Sequence, residues 1–231
     1  MPVADSAAAA IKNLILTGEL QAGDRLPAER ALAAQLGVSR NSLREAVAAL
    51  TEMGVLEARH GDGTYLTTLD PRALFESMGF AVDLMRTAHL PDVLAVRRTL
   101  EAFATGLAAS VISDEEIHEL AALQQGVFAA GLAVEDQIRL DIAFHARIST
   151  IAGNGVLAGL LDVIRGTAIQ ASQWRGANDP SGLARADVEH RMIVDALRTR
   201  DSGLAATLAA SHVAGVEAWI HSRSGAARPQ P

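Results

Sequence analysis

The chain has 231 residues, of which 49% are apolar and 20% charged, with a formal net charge of −7 and no cysteine. That length carries one large domain or two modest ones, and that apolar share excludes wholesale disorder. Disulfides and thiolate-held metals are excluded too, so any metal must sit on nitrogen and oxygen ligands.

The opening stretch, MPVADSAAAAIKNLIL, lacks the basic region and long apolar core of a signal peptide. No apolar run in the chain reaches the ~20 residues needed to span a bilayer. A cytoplasmic protein with no membrane contact is expected. The first element is a helix over 6–17, with Ala8, Ile11, Leu14 and Ile15 on one side. Gly18 and Gln21-Ala22-Gly23-Asp24 end it in a turn. A second helix follows over 28–36 and is closed by Gly37; Ser39 is a good N-cap for a third over 40–53. Val55–Ala58 and Thr64–Thr67 alternate as two short strands, with Gly61-Asp62-Gly63 as the turn. Three helices and a small ribbon make a winged helix-turn-helix over 1–70. The negative net charge is no veto on DNA, because binding needs only a local basic face. Arg25, Arg30, Arg40 and Arg44 cluster in this stretch.

Arg40 and Arg44 share a face at the start of the third helix, the end that enters the major groove. Arginine there grips guanine O6 and N7 through two hydrogen bonds. Ser39 and the helix N-terminus suit a phosphate, and the Asn41 amide suits a base or a phosphate. Arg30 is placed for the DNA backbone. His60 and Gly61 at the wing tip suit the minor groove. The run from Gly18 to Leu66 resembles the GntR family of bacterial regulators. The resemblance rests on Gly18, Gly23, Leu26, Pro27, Glu29 and Arg30, then Gly37, Val38, Ser39, Arg40, Arg44 and Glu45, then Gly61, Gly63 and Thr64.

From Pro71 the pattern is helical throughout, which predicts an all-helical bundle over 71–222. Helices are expected over 72–88, 91–110, 114–130, 135–152, 155–175, 181–200 and 202–222, and a frayed tail over 223–231. The fold class is therefore mainly α. Asp141 and His145 stand four apart on one apolar stripe with Ile138 and Ile148. His190 lies with Ile193, Val194 and Leu197, and His212 with Leu204, Leu208 and Trp219. Burying three histidines without partners is costly, and a shared divalent ion removes the cost. Each histidine alone reads better as a hydrogen-bonded core imidazole; the four residues together on inward stripes favour the metal.

This half resembles the FadR-like branch of GntR regulators, with its all-helical FCD domain. The matching residues are Arg97-x-x-x-Glu101, Asp141-x-x-x-His145, Glu189-His190, His212 and the turn Ala152-Gly153-Asn154. The resemblance implies Zn, Ni or Mn held by Asp141, His145, His190 and His212, beside a pocket for a small carboxylate or sugar acid. Zinc leads. Three nitrogens and one oxygen do not decide the metal, since imidazole suits Zn, Ni and Cu while a carboxylate admits Mn. Arg97, on the stripe of Val93, Leu100 and Ala104, is the candidate clamp for the effector's carboxylate; its alternative is a surface pair with Glu101. Gln170, Gln173 and Arg175 are further candidates for the pocket lining. Glu189, adjacent to His190, reads as structural.

The expected function is that of a metabolite-responsive DNA-binding regulator, a repressor rather than an activator. It would act as a homodimer on a palindromic operator in double-stranded DNA. A metal sensor is the alternative. A metal-dependent hydrolase fused to a DNA module is disfavoured, because H-E-x-x-H, a Gly-rich phosphate loop and a nucleophile elbow are all absent.

Overall fold

The computed structural model describes residues 3–129, 131–165 and 180–224. The chain forms two compact units, Met1–Ser77 and Met78–Pro231.

The first unit runs α1 (Val3–Leu16), α2 (Glu29–Leu36), α3 (Arg40–Glu52), β1 (Leu56–Arg59), β2 (Gly63–Leu66) and α4 (Pro71–Glu76). Gly37 closes α2 in the left-handed conformation that glycine alone adopts without cost, at φ 67°. Two residues later Ser39 opens α3, its side chain accepting from the Ser42 N–H at 3.1 Å. These two caps turn the chain sharply between α2 and α3. The strands pair antiparallel, Leu56 opposite Leu66 and Arg59 opposite Gly63, one residue displaced from the expected spans. Ile11, Leu32, Leu43, Leu56 and Leu66 are fully buried in one cluster. Each such burial is worth about 1.5–3 kcal/mol.

The segment expected as a turn at 21–24 also continues along the sheet. Leu26 N–H donates to Thr64 O at 2.8 Å and Leu66 N–H to Asp24 O at 2.8 Å. The Arg25 side chain therefore lies across the backbone of Gly63, where a Cβ would come within 2.7 Å of Nε. Gly63 has φ 146°, which side-chain-bearing residues rarely adopt. A Gly63→Ala variant is expected to lose about 1–3 kcal/mol from the hairpin, read as a lowered thermal midpoint. A midpoint equal to that of the parent chain would show that the strand relaxes around the added methyl.

The second unit contains α5 (Gly79–Val111), α6 (Asp114–Val127), α7 (Val134–Ile151), α8 (155–165), α9 (Pro180–Arg198) and α10 (Ser202–Ser224). The expected break at Pro91 is a kink instead. Helix α5 runs through it, with His89 alone at non-helical φ −130°, ψ 24°. Proline lacks the N–H of that turn and bends the helix without ending it. The break comes earlier, between α4 and α5. Ser113 and Glu116 start α6 with reciprocal caps. Helices α5 and α10 pack on small residues: a Cβ on Gly106 would lie 3.2 Å from Ser202 O and 3.4 Å from the Ala206 methyl. Ala108, Ala109, Ala205 and Ala209 are buried in the main core with Ile117, Leu120, Phe144, Ile148, Ile193 and Leu197. Among the described residues, no helix is long and apolar enough to cross a membrane. The tail from 225 onward and the candidates Gln170, Gln173 and Arg175 lie outside the described residues.

Candidate functional site

On the first unit, Arg30 is the second residue of α2, Ser39 caps α3, and Arg40, Asn41 and Arg44 stand on its first turns. All five are exposed, while Ser42, Leu43 and Ala46 take the inner face. Arg30 and Arg40 have no ion-pair partner among the described residues. Arg44 Nε stands 3.8 Å from Glu29 Oε1 with both side chains well exposed. The Asn41 amide donates to Glu45 at 2.8 Å. His60 and Gly61 form the exposed hairpin tip. Beside them, Tyr65 donates its hydroxyl hydrogen to Asp62 at 2.7 Å, and Arg59 lies over the Tyr65 ring. A helix N-terminus with free arginines, next to a β-ribbon, is the arrangement that reads duplex DNA.

In the second unit, α7, α9 and α10 bring three imidazoles together. His145, His190 and His212 are all buried, and one ligand nitrogen from each lies within 4.8 Å of the others. His190 Nε2 and His212 Nε2 are 3.3 Å apart, and Asp141 Oδ1 is 3.5 Å from His190 Nε2 and 3.9 Å from His145 Nε2. Phe144 stacks on the His190 ring with centroids 4.6 Å apart, which fixes its plane. His212 donates from Nδ1 to Glu189 Oε2 at 2.8 Å, so its bare Nε2 points at the cluster. His145 Nε2 is buried without a hydrogen-bond partner among the described residues.

Burial, then the neighbouring rings and Arg97, holds His145 well below the ordinary histidine value. Burial, His212 and Arg97 do the same to His190. Burial pushes Asp141 up, against the pull of His212 and Arg97. Neutral imidazoles with converging lone pairs are metal ligands by chemistry. Tetrahedral ligand atoms about 2.0–2.1 Å from zinc stand about 3.3–3.4 Å from one another, close to the His190–His212 and His190–Asp141 separations. The donor set therefore fits a divalent ion.

Arg97 is buried and meets Glu101 at 3.5 Å. The pair weighed as a surface contact thus exists inside the core. Arg98, on the next face, pairs with Glu217 at 3.1 Å. Leu204, expected on the inner stripe of α10, is exposed; Ala205 and Ala209 take that side. Two more residues matter to the geometry: Glu189, read from the sequence as structural, and Arg165, which the sequence reading did not single out. Glu189 reaches His212 across the helix gap even though it faces about 100° away from His190. Arg165 on α8 is buried and bonds Glu101 Oε1 at 3.1 Å and the His145 carbonyl at 3.0 Å. Its signal was present: it follows the buried Ala158 and Leu161 at helical spacing.

Comparison with known proteins follows the same division. Residues 3–66 match the family described as bacterial regulatory proteins, gntR family, and residues 92–215 match the FCD domain. The chain is 32% identical over 226 residues to a putative L-lactate dehydrogenase operon regulatory protein of Escherichia coli, covering 93% of this chain and 84% of that one. It is 28% identical over 211 residues to the HTH-type transcriptional regulator LutR of Bacillus subtilis, covering 88% and 94%. It is also 28% identical over 228 residues to the Glc operon transcriptional activator of Escherichia coli, covering 95% and 89%. Among solved structures, a Streptococcus agalactiae GntR protein aligns with a TM-score of 0.60 at 27% identity, over 93% of this chain and 99% of that one.

Proposed function

Because the chain belongs to the gntR family of bacterial regulatory proteins, carries an FCD domain and is a DNA-binding transcription regulator, we propose that its second unit senses a small carboxylate bound beside a divalent metal ion. The approach of His212 Nε2 and Asp141 Oδ1 to His190 Nε2, at 3.3 and 3.5 Å, carries this reading. Asp141, His145, His190 and His212 would hold the ion, zinc first, with nickel or manganese as alternatives. Bound there, it would supply positive charge and, in a five- or six-coordinate shell, positions for ligand oxygens.

The protein's own groups do the rest. Glu189 keeps His212 in the tautomer whose Nε2 is free. Burial keeps His145 and His190 uncharged. Arg97 offers a planar guanidinium to a carboxylate. A relative named for an L-lactate dehydrogenase operon supports the ligand class, since lactate presents a carboxylate to an arginine and a neighbouring oxygen to a metal. On DNA, Arg40 and Arg44 would read the major groove, with Ser39, Asn41 and Arg30 on phosphates or bases and His60 and Gly61 at the minor groove. A homodimer on a palindromic operator supplies the second head. Repression is the proposed direction; because one relative is named an activator, in vitro transcription from the operator is its measurement.

The test of the sensor is metal content by elemental analysis, with thermal shifts before and after chelation. About one ion per chain is expected, with a lower midpoint on chelation, and with L-lactate or a related carboxylate stabilising only the loaded form. Stabilisation by metal alone, with no carboxylate responding, would make the metal itself the signal. A chain that takes up no ion would overturn the reading.

A further inference from the structure

Glu101 stands where three groups of the pocket meet. Its carboxylate is almost wholly buried, at 1% exposure. Oε1 accepts from Arg165 Nε at 3.1 Å and from Arg97 Nε at 3.5 Å. Among the described residues Oε2 has no hydrogen-bond partner, and it lies 3.8 Å from His145 Nδ1. A buried charged oxygen left bare is unfavourable, so this carboxylate is poised to turn.

Its neighbours are held unequally. Arg165 is fixed: it also donates to Asp162 at 2.7 Å, to the His145 carbonyl at 3.0 Å and to Ser149 Oγ. Arg97 is held weakly, its hydrogen bond among the described residues being the long one to Glu101. His145 has one nitrogen toward Glu101 and the other, also unpartnered, toward Asp141.

We infer that Glu101 is a positioning residue through which capture of a carboxylate by Arg97 tightens metal binding at His145; the inference rests on the sensor reading above. When a ligand carboxylate draws Arg97 away, Glu101 Oε1 keeps Arg165. The carboxylate then turns about that anchor, and Oε2 accepts the proton of His145 Nδ1–H. That hydrogen bond fixes the tautomer with a bare Nε2 toward the cluster and makes the imidazole a stronger donor. By reciprocity, the loaded site holds the carboxylate more tightly by the same factor. His145 thereby gains the support that Glu189 already gives His212.

The test titrates zinc into the stripped full-length chain against a chelating dye, with and without L-lactate, in the parent protein and in Glu101→Gln. In the parent, lactate is expected to raise zinc affinity about fivefold or more. Glu101→Gln is expected to bind zinc about tenfold more weakly and to lose most of the lactate effect, the remainder coming from direct contact between ligand and metal. Nitrogen-edited spectra of the zinc-loaded parent should show a slowly exchanging Nδ1–H of His145 that appears on adding lactate, a signal that a purely charge-balancing carboxylate would not produce. If Glu101→Gln does not fold, Glu101→Asp keeps the charge between the two arginines, withdraws it from His145, and should lose the coupling all the same. An unchanged lactate effect in the variant, or no new Nδ1–H signal, overturns the inference alone. A parent chain that binds no zinc overturns the sensor reading as well.

Discussion

Replacing Arg40 and Arg44 together by alanine is expected to abolish specific operator binding while leaving the folded second unit and its metal content unchanged. Both side chains are exposed on the first turns of α3, and neither supports the core made by Leu32, Leu43 and Leu56. Truncation therefore removes DNA contacts and little else. An arginine bidentate to guanine is worth about 1–3 kcal/mol of discrimination, so each head loses about 2–6 kcal/mol for the pair. A two-headed complex loses that twice. The Arg44–Glu29 contact in the free protein does not offset this, because an exposed pair 3.8 Å apart contributes under about 1 kcal/mol. Arg44 can leave Glu29 for DNA at small cost. The measurement is a fluorescence-anisotropy titration of operator and scrambled duplex at several salt concentrations. Arg139→Ala together with Arg198→Ala, both exposed in the other unit, serves as the charge-matched control. Loss confined to the operator marks base reading; equal loss on both duplexes, with a shallower salt slope, marks phosphate contact. Undiminished operator binding would remove α3 from the reading surface.

His190→Ala should have the second large effect. His190 is wholly buried and meets His212, Asp141 and the Phe144 ring. Without it the midpoint rise on adding metal is expected to vanish, a loss of about 4 kcal/mol at a thousandfold excess of metal over Kd. The metal-free variant also loses stability through the cavity, so the metal-dependent increment is the quantity to compare. The pH dependence of the chelated parent has a definite sign. Burial holds His145 and His190 below the ordinary 6.5. As pH falls through 6.5 the unfolded chain takes up protons that the folded one refuses, so stability is full above 6.5 and declines below it. Asp141, raised from 3.8, acts oppositely: its contribution is full below 3.8 and is lost as pH rises through its folded value. It thus offsets part of the histidine loss. The midpoint of the chelated parent should still fall from pH 7 to pH 5, and less steeply in His190→Ala. A flat profile in the parent would mean the rings are solvated.

Much of this was legible in the residues. The caps at Gly37 and Ser39, the alternating strands and the stripe positions of His145, His190 and His212 are local signals, each set by backbone sterics or helical period. What escaped the sequence is what only packing decides. Pro91 reads as a stop, but Leu94 beyond it is buried with Val216 and Ile220, and that packing carries α5 through the bend. The Glu189–His212 bond and the Arg165–Glu101 junction join residues 23 and 64 positions apart. No spacing rule along one helix reports such pairs. Leu204 gave its stripe to Ala205 because the face against α5 has room only for small side chains.

That last contact constrains how the chain can change over evolutionary time. Gly106 lies against Ser202 and Ala206, and Ala205 and Ala209 are buried beside Ala108 and Ala109. A methyl gained on one helix has nowhere to go unless its opposite number shrinks. Positions 106, 108, 109, 205, 206 and 209 should therefore drift as a group confined to glycine, alanine and serine. The loops and exposed helix faces around them can meanwhile diverge freely. In a set of diverging sequences this seam would appear as correlated substitution between α5 and α10, recording the distance between two helices with no coordinates needed.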